Sequence, residues 1–299
     1  MFRAYWNGEF VPQDQLQLAP SDIGFIWGVT VTERLRTFGG GLFELSAHMQ
    51  RLQQSMQIVG IETVESSQQL TAAAEQLAAD NVALLDSADD LGMLILVTPG
   101  DPASQLVRAT VMISCYPLPF GQWQPAYEQG SSLVISSQRQ VPEQCWPPQL
   151  KCRSRMHYYL ADQQADRQQA GARALLLDEA GHVGEATTAN LVIYRSDDGL
   201  VSPRREKILA GISLDVLEQL ANALSIPFQQ QDLTPAELTA ADELLMTSTS
   251  PCVWSVTELD GVAIGDGSVG PISRKLLAAW SSLVGLDIAA QAARFAERR

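Results

Sequence analysis

The 299 residues are 46% hydrophobic, 18% charged and 7% aromatic, and 34 Asp and Glu against 20 Lys and Arg leave a formal net charge of −14. A chain of this length can bury the core of two modest domains or one large one. Its negative field disfavours polyanions, which excludes nucleic acid as an expected partner and leaves any phosphate-bearing ligand to a few placed cations and backbone amides.

No run of about 18 apolar residues occurs, and the opening residues 1–10 lack a basic and then apolar leader, so a cytoplasmic protein without a membrane partner is expected. Cys115, Cys145, Cys152 and Cys252 show no CxxC spacing, and His48, His157 and His182 lie far apart, so neither a disulfide framework nor a metal centre is expected. Among the basic residues only Lys151, Lys207 and Lys275 could supply an ε-amine.

In chain order, Asn7-Gly8 between short apolar runs predicts a tight hairpin. A second hairpin is predicted over residues 29–45 about Gly39-Gly40-Gly41. Leu45, His48, Met49, Leu52, Met56 and Val59 recur at helical spacing and stop at Gly60. A second helix over 66–79 leads to strands at 93–98 and 109–115. Pro117, Pro119, Pro125 and Gly121 then crowd residues 116–129, which reads as an irregular interdomain linker.

Beyond it the pattern predicts a strand at 132–137, a proline-rich loop ending at Lys151, a helix at 155–169 and strands at 174–178 and 190–194. There follow helices at 213–224 and 235–240, a strand at 243–247, a hairpin at 256–264 about Asp260-Gly261, and a C-terminal helix from Ile272. The mixed order predicts an α+β chain: a small domain over 1–115, a linker over 116–130 and a larger domain over 131–299 with a barrel-like β core.

Four segments carry residue types suited to chemistry. Lys151 is followed by Arg153 and Arg155, whose charges disfavour an ammonium, and a Schiff-base lysine needs that lowering. Taken alone the segment also fits a solvated basic turn. Glu185 is followed by small residues through Ala189 that let a flat ligand approach the backbone, although a lone glutamate is usually a surface charge. Gly211-Ile212-Ser213 opens a helix whose amides could seat a phosphate, or is an ordinary capped start. Thr247 to Ser250 forms a hydroxyl-rich turn that can face an anion or merely water.

Together, His48 to Leu52 with Arg51, Leu150-Lys151, Glu185 with Thr188 to Leu191, Leu209 to Ser213, and Thr247 to Ser250 resemble the fold type IV (class IV) pyridoxal-phosphate enzymes. Branched-chain aminotransferases, D-amino acid aminotransferases and aminodeoxychorismate lyases belong to that family. The resemblance spans essentially the whole chain. It implies that Lys151 forms the Schiff base with pyridoxal 5′-phosphate and shuttles the α-proton, and that Glu185 keeps the ring nitrogen protonated. It further implies that Leu209 packs on the ring and that Arg51, the amides of Ile212 and Ser213 and the Thr249 hydroxyl hold the phosphate.

Several positions depart from the relatives. Met156 replaces the tyrosine of the branched-chain type, Trp27 replaces a common Tyr or Phe, and Pro99 falls where D-amino acid aminotransferases and lyases carry an arginine. The substrate carboxylate is then expected at the Thr249 and Ser250 amides, aided by Arg36, with Trp27, Met93, Ile95 and Met156 as an apolar pocket. Ser154-Arg155-Met156 is closer to the lyases. The expectation is a homodimeric aminotransferase acting on an apolar, branched-chain-like L-amino acid and a 2-oxo acid. The alternative is an aminodeoxychorismate lyase.

Overall fold

The structure, a computed structural model, describes residues 1–104 and 108–298. It is an α+β fold that divides into two compact units, one of Met1–Leu118 with Leu150–Ser154 and one of Pro119–Gln149 with Arg155–Arg299.

The first unit contains β1 (Arg3–Trp6), β2 (Glu9–Pro12), a single turn α1 (Ile23–Ile26), β3 (Val31–Phe38), β4 (Gly41–Leu42), α2 (Leu45–Val59), α3 (Ser67–Val82), β5 (Leu91–Thr98) and β6 (Thr110–Pro117). The strands form an antiparallel sheet in the order β2-β1-β6-β5-β3-β4. Asn7 and Gly8 take φ of 49° and 98°, the paired left-handed conformation that a two-residue hairpin turn needs. Gly60 closes α2 at φ 75°. Ser66 starts α3 with a reciprocal cap to Gln69.

Side chains of one face of β5, Leu91, Met93, Ile95 and Val97, pack with Leu52 of α2 and Leu70 and Leu77 of α3. Met93 and Ile95 are therefore core residues and not the pocket wall expected of them. The strand's period of two commits them to the same face as Leu91 and Val97.

The second unit contains α4 (Gln124–Gln129), β7 (Ser131–Arg139), α5 (Met156–Gln168), β8 (Arg173–Leu177), β9 (Val183–Ala186), β10 (Asn190–Arg195), β11 (Gly199–Ser202) and α6 (Ile212–Ala223). It continues with β12 (Phe228–Gln230), α7 (Pro235–Thr239), β13 (Glu243–Ser248), β14 (Cys252–Leu259), β15 (Val262–Ala263), α8 (Pro271–Val284) and α9 (Ile288–Arg294). The strands run β12-β11-β10-β13-β14-β7-β8-β9 with β15 on β14, curled as a half-barrel. Pairs β7–β8 and β11–β12 are parallel, and the helices α5 and α6 supply the crossovers that parallel strands require. α5 approaches the sheet through Ala161 and Ala165, which pack on Val134, Ala174 and Leu176.

Two features differ from the sequence reading. The stretch 116–129 is not irregular: it finishes β6, makes a 3-10 turn that buries Phe120, and forms α4. Pro125 sits in the first turn of α4, where a missing N–H breaks no helical bond. The segment Leu150–Ser154 clusters with the first unit rather than with 131–299. No single helix among the described residues is long and apolar enough to cross a membrane.

Candidate active site

In the first unit, Leu150–Ser154 lies along the start of β3. Thr32 N–H donates to Lys151 O at 3.0 Å, Arg153 N–H donates to Thr30 O at 2.8 Å, and Cys152 bridges Val31 in antiparallel register. Lys151 N–H donates to Ser55 Oγ at 3.2 Å, and Ser154 Oγ donates to Gly28 O at 2.6 Å. The backbone of Lys151 is thereby held on both sides. Ser55 stands one helical turn along α2 from Arg51.

Arg51 is buried and forked onto Glu33: Nε donates to Oε1 at 2.7 Å and Nη2 to Oε2 at 2.8 Å. His48 Nδ1 meets the same Oε2 at 2.7 Å. Burial by itself pushes the Glu33 carboxyl up, but the Arg51 charge and its hydrogen bonds, with those of His48, hold it well below the usual carboxylate range. Burial pushes His48 down against the pull of Glu33, so the ring is neutral and its Nδ1–H donates. Sequence reading misses Glu33. The available signal is its place between Val31 and Leu35 on the core face of β3, where a carboxylate requires a cation.

Arg36 has no exposed surface; its Nε donates to Thr37 O at 3.1 Å and its guanidinium lies 3.9 Å from the centre of the Phe38 ring. A guanidinium sealed in this way offers no face to a substrate carboxylate, which corrects the role expected of it. Trp27, at the end of α1, is 76% exposed.

In the second unit, Glu185 lies on β9, which pairs with β8 out of step: Leu175 faces Ala186 while Leu177 faces Val183. This bulge lets Val183 and Ala186 both enter the core, and it turns Glu185 away from it. The carboxylate is 8% exposed. Its Oε1 accepts the Tyr158 hydroxyl at 2.5 Å, and Oε2 accepts Asn190 Nδ2 at 3.3 Å and Leu209 N–H at 3.4 Å. Asn190 Nδ2 also donates to Leu209 O at 3.1 Å, tying Glu185 to the loop that enters α6.

α6 begins at Gly211 without a side-chain cap. Its first internal bonds are those of Leu214 and Asp215 N–H to Gly211 O, so the amides of Ile212 and Ser213 precede them and point out of the helix end. A Cβ on Gly211 would stand 1.9 Å from Asn190 Oδ1, so only glycine lets the helix start this close to Asn190 and Glu185. Thr249 and Ser250 form the turn between β13 and β14, closed by Thr247 Oγ1 donating to Cys252 O at 2.8 Å. Thr188, in the turn before β10, takes φ 66° and its carbonyl accepts Ser248 Oγ at 2.9 Å, which couples the two turns.

These residues suit pyridoxal phosphate chemically. Glu185 is a buried carboxylate that accepts from Tyr158, Asn190 and the Leu209 amide, and beside it lies a helix N-terminus with no capping side chain, where a phosphate is stabilised by amides and dipole. Of the three lysines, Lys207 hydrogen-bonds Asp232 at 2.6 Å, which raises its basicity and keeps it charged, and Lys275 is exposed on α8. Sequence reading misses Tyr158 and the bonding role of Asn190. Among the described residues no group of three or more His, Cys, Asp or Glu could hold a metal ion.

Residues 30–259 match the family model described as Amino-transferase class IV. A provisionally named branched-chain-amino-acid aminotransferase from Methanocaldococcus jannaschii is 30% identical over 283 residues, covering 92% of this chain and 93% of the relative. A D-alanine aminotransferase from Staphylococcus haemolyticus is 25% identical over 285 residues, covering 92% and 95%. A T.th. branched-chain amino acid aminotransferase, solved with pyridoxamine 5′-phosphate, superposes with a TM-score of 0.86 at 26% identity, covering 95% of this chain and 94% of that one.

The Glu33 trio makes stability depend on pH. Glu33 stays ionised when folded but takes up a proton near its ordinary value of 4.5 when unfolded, so its contribution is complete above that value and is lost as pH falls below it. Glu33→Gln should cost about 3–5 kcal/mol at neutral pH, because Arg51 is left buried without its partner. In urea unfolding, the gap between wild type and variant should narrow as pH falls from about 5 to 3; a gap that stays constant would disprove the linkage.

Proposed function

Because the chain belongs to the class IV aminotransferases, which use pyridoxal 5′-phosphate, we propose that it moves the amino group of an apolar L-amino acid to a 2-oxo acid, with Lys151 as the cofactor-bearing lysine. The observation that carries the reading is the buried Glu185 carboxylate beside the uncapped start of α6. When bound, the cofactor supplies an electron sink that eases loss of the donor's α-proton. Lys151 Nζ would hold the cofactor and, once displaced by the donor amine, take that proton. Glu185 would accept the hydrogen bond of the ring nitrogen and keep its proton in place.

Leu209 would pack on the ring, and the amides of Ile212 and Ser213 with the Thr249 hydroxyl would hold the phosphate. Arg51, oriented by Glu33, is the cation we assign to the same dianion. The α-carboxylate is assigned to the amides of Thr249 and Ser250. Support for an apolar donor comes from Pro99 at the end of β5, which has no charge for a second carboxylate, and from the name of the relative at 30% identity. We also propose a homodimer. Phe25, Ile26 and Trp27 are consecutive and 69%, 51% and 76% exposed, more apolar surface than one short turn leaves open without a partner.

Borohydride reduction and peptide mapping should label Lys151; a pyridoxyl group on Lys207 or Lys275 would remove it from the role. Among donors, leucine or phenylalanine should exceed aspartate, glutamate and D-alanine in kcat/KM. A reversed order refutes the substrate assignment, and turnover of 4-amino-4-deoxychorismate instead would establish the lyase. Sedimentation equilibrium should give a dimer at micromolar concentration, and a monomer there would sink that proposal.

A further inference from the structure

Tyr158 is the donor to Glu185 that the sequence pattern does not mark. It lies in the first turn of α5, partly buried against Val134, Ala161, Ala174 and Leu176. Its ring is flanked by the His157 ring at 4.3 Å between centroids and by the Arg155 guanidinium at 5.9 Å. The hydroxyl reaches Glu185 Oε1 at 2.5 Å, shorter than either bond made to Oε2. Tyr158, Asn190 and Leu209 N–H are all neutral donors. Hydrogen bonds from a hydroxyl and two amides fix the plane of the carboxylate.

We propose that Tyr158 is a positioning residue for the reaction, its hydroxyl holding the Glu185 carboxylate in the orientation and ionised state that the cofactor's ring nitrogen requires. The proposal rests on the reading of Glu185 given above. Without the hydroxyl, Oε1 loses the hydrogen bond that Tyr158 donates, and the carboxylate is held less firmly in that orientation. Tyr158→Phe removes only that oxygen and keeps the ring that packs on the α5 side of the sheet.

The test is a double-mutant cycle on the holoenzyme with Y158F, E185Q and both together, read as kcat and KM for the amino donor and as the dissociation constant of pyridoxal phosphate from each protein. Y158F should lower kcat about tenfold, change KM by less than about twofold and weaken cofactor binding, while the fall in urea midpoint stays too small to unfold the protein under assay conditions. In the E185Q background the same change should have less than about a twofold effect, because the group it acts through is gone. A wild-type kcat and cofactor affinity in Y158F, or equal losses in both backgrounds, would overturn the proposal, as would losses that track a lowered urea midpoint. E185Q at the wild-type rate would instead overturn the assignment of Glu185 itself. A slow E185Q with an unimpaired Y158F overturns only the role of Tyr158.

Discussion

A carboxylate taken out of water needs donors on both oxygens, and the second unit meets that need for Glu185 from within itself. The donors come from three directions: Tyr158 from the first turn of α5, Asn190 from the start of β10, and the Leu209 amide from the loop before α6. Each fixes an element that carries another proposed contact. At Gly211 a Cβ would stand 1.9 Å from Asn190 Oδ1, so a side chain there would force Asn190 to shift. That glycine in turn leaves α6 without a capping side chain, and so leaves the Ile212 and Ser213 amides for an anion. One buried charge thus propagates into the geometry of a helix end.

The first unit meets a buried carboxylate differently. Glu33 is paired with a full cation, Arg51, and with His48, and the trio lies inside the core that β3 shares with α2. Here the carboxylate is the means and the arginine is the object. Forking Nε and Nη2 onto one carboxylate removes the side-chain freedom that makes a long arginine costly to order, so the guanidinium has one orientation. The contrast between the two units is consistent with the proposed division of tasks. Glu185 takes hydrogen bonds from a hydroxyl and two amides, whereas Glu33 is forked by a guanidinium.

Local signals are legible in the sequence, and contacts between distant residues are not. The Asn7-Gly8 turn and the glycine stop at Gly60 are encoded within a few residues, and each is where the pattern puts it. The candidate residues come from a family pattern, which names Glu185, Leu209, Ile212 and Ser213 without giving their bonding. Strand β9 is absent from the predicted elements because Gly184, Glu185 and Ala186 carry no alternation, and its pairing depends on a bulge opposite β8. Tyr158 is invisible for the same reason, since its partner lies 27 residues away across the β8 crossover. Arg36 is buried on β3 with its guanidinium over the Phe38 ring, a contact that the pattern of the strand does not mark.

The net charge of −14 limits how an anionic cofactor can be held. At physiological salt, exposed charges are screened beyond about 8 Å, so the surface excess of carboxylates weakens capture of a dianion more than it weakens a contact already made. What governs a bound state is the nearest shell, and the groups of that kind proposed for the phosphate are the oriented amides at the start of the twelve-residue α6. Amides cannot be outcompeted by neighbouring carboxylates as a lysine can. Lys207 illustrates the alternative, because its ammonium is already engaged by Asp232 and Asp178. In a chain this acidic a mobile cation finds a carboxylate of its own, so the proposed anion contacts are drawn from backbone donors and from an arginine whose orientation Glu33 fixes.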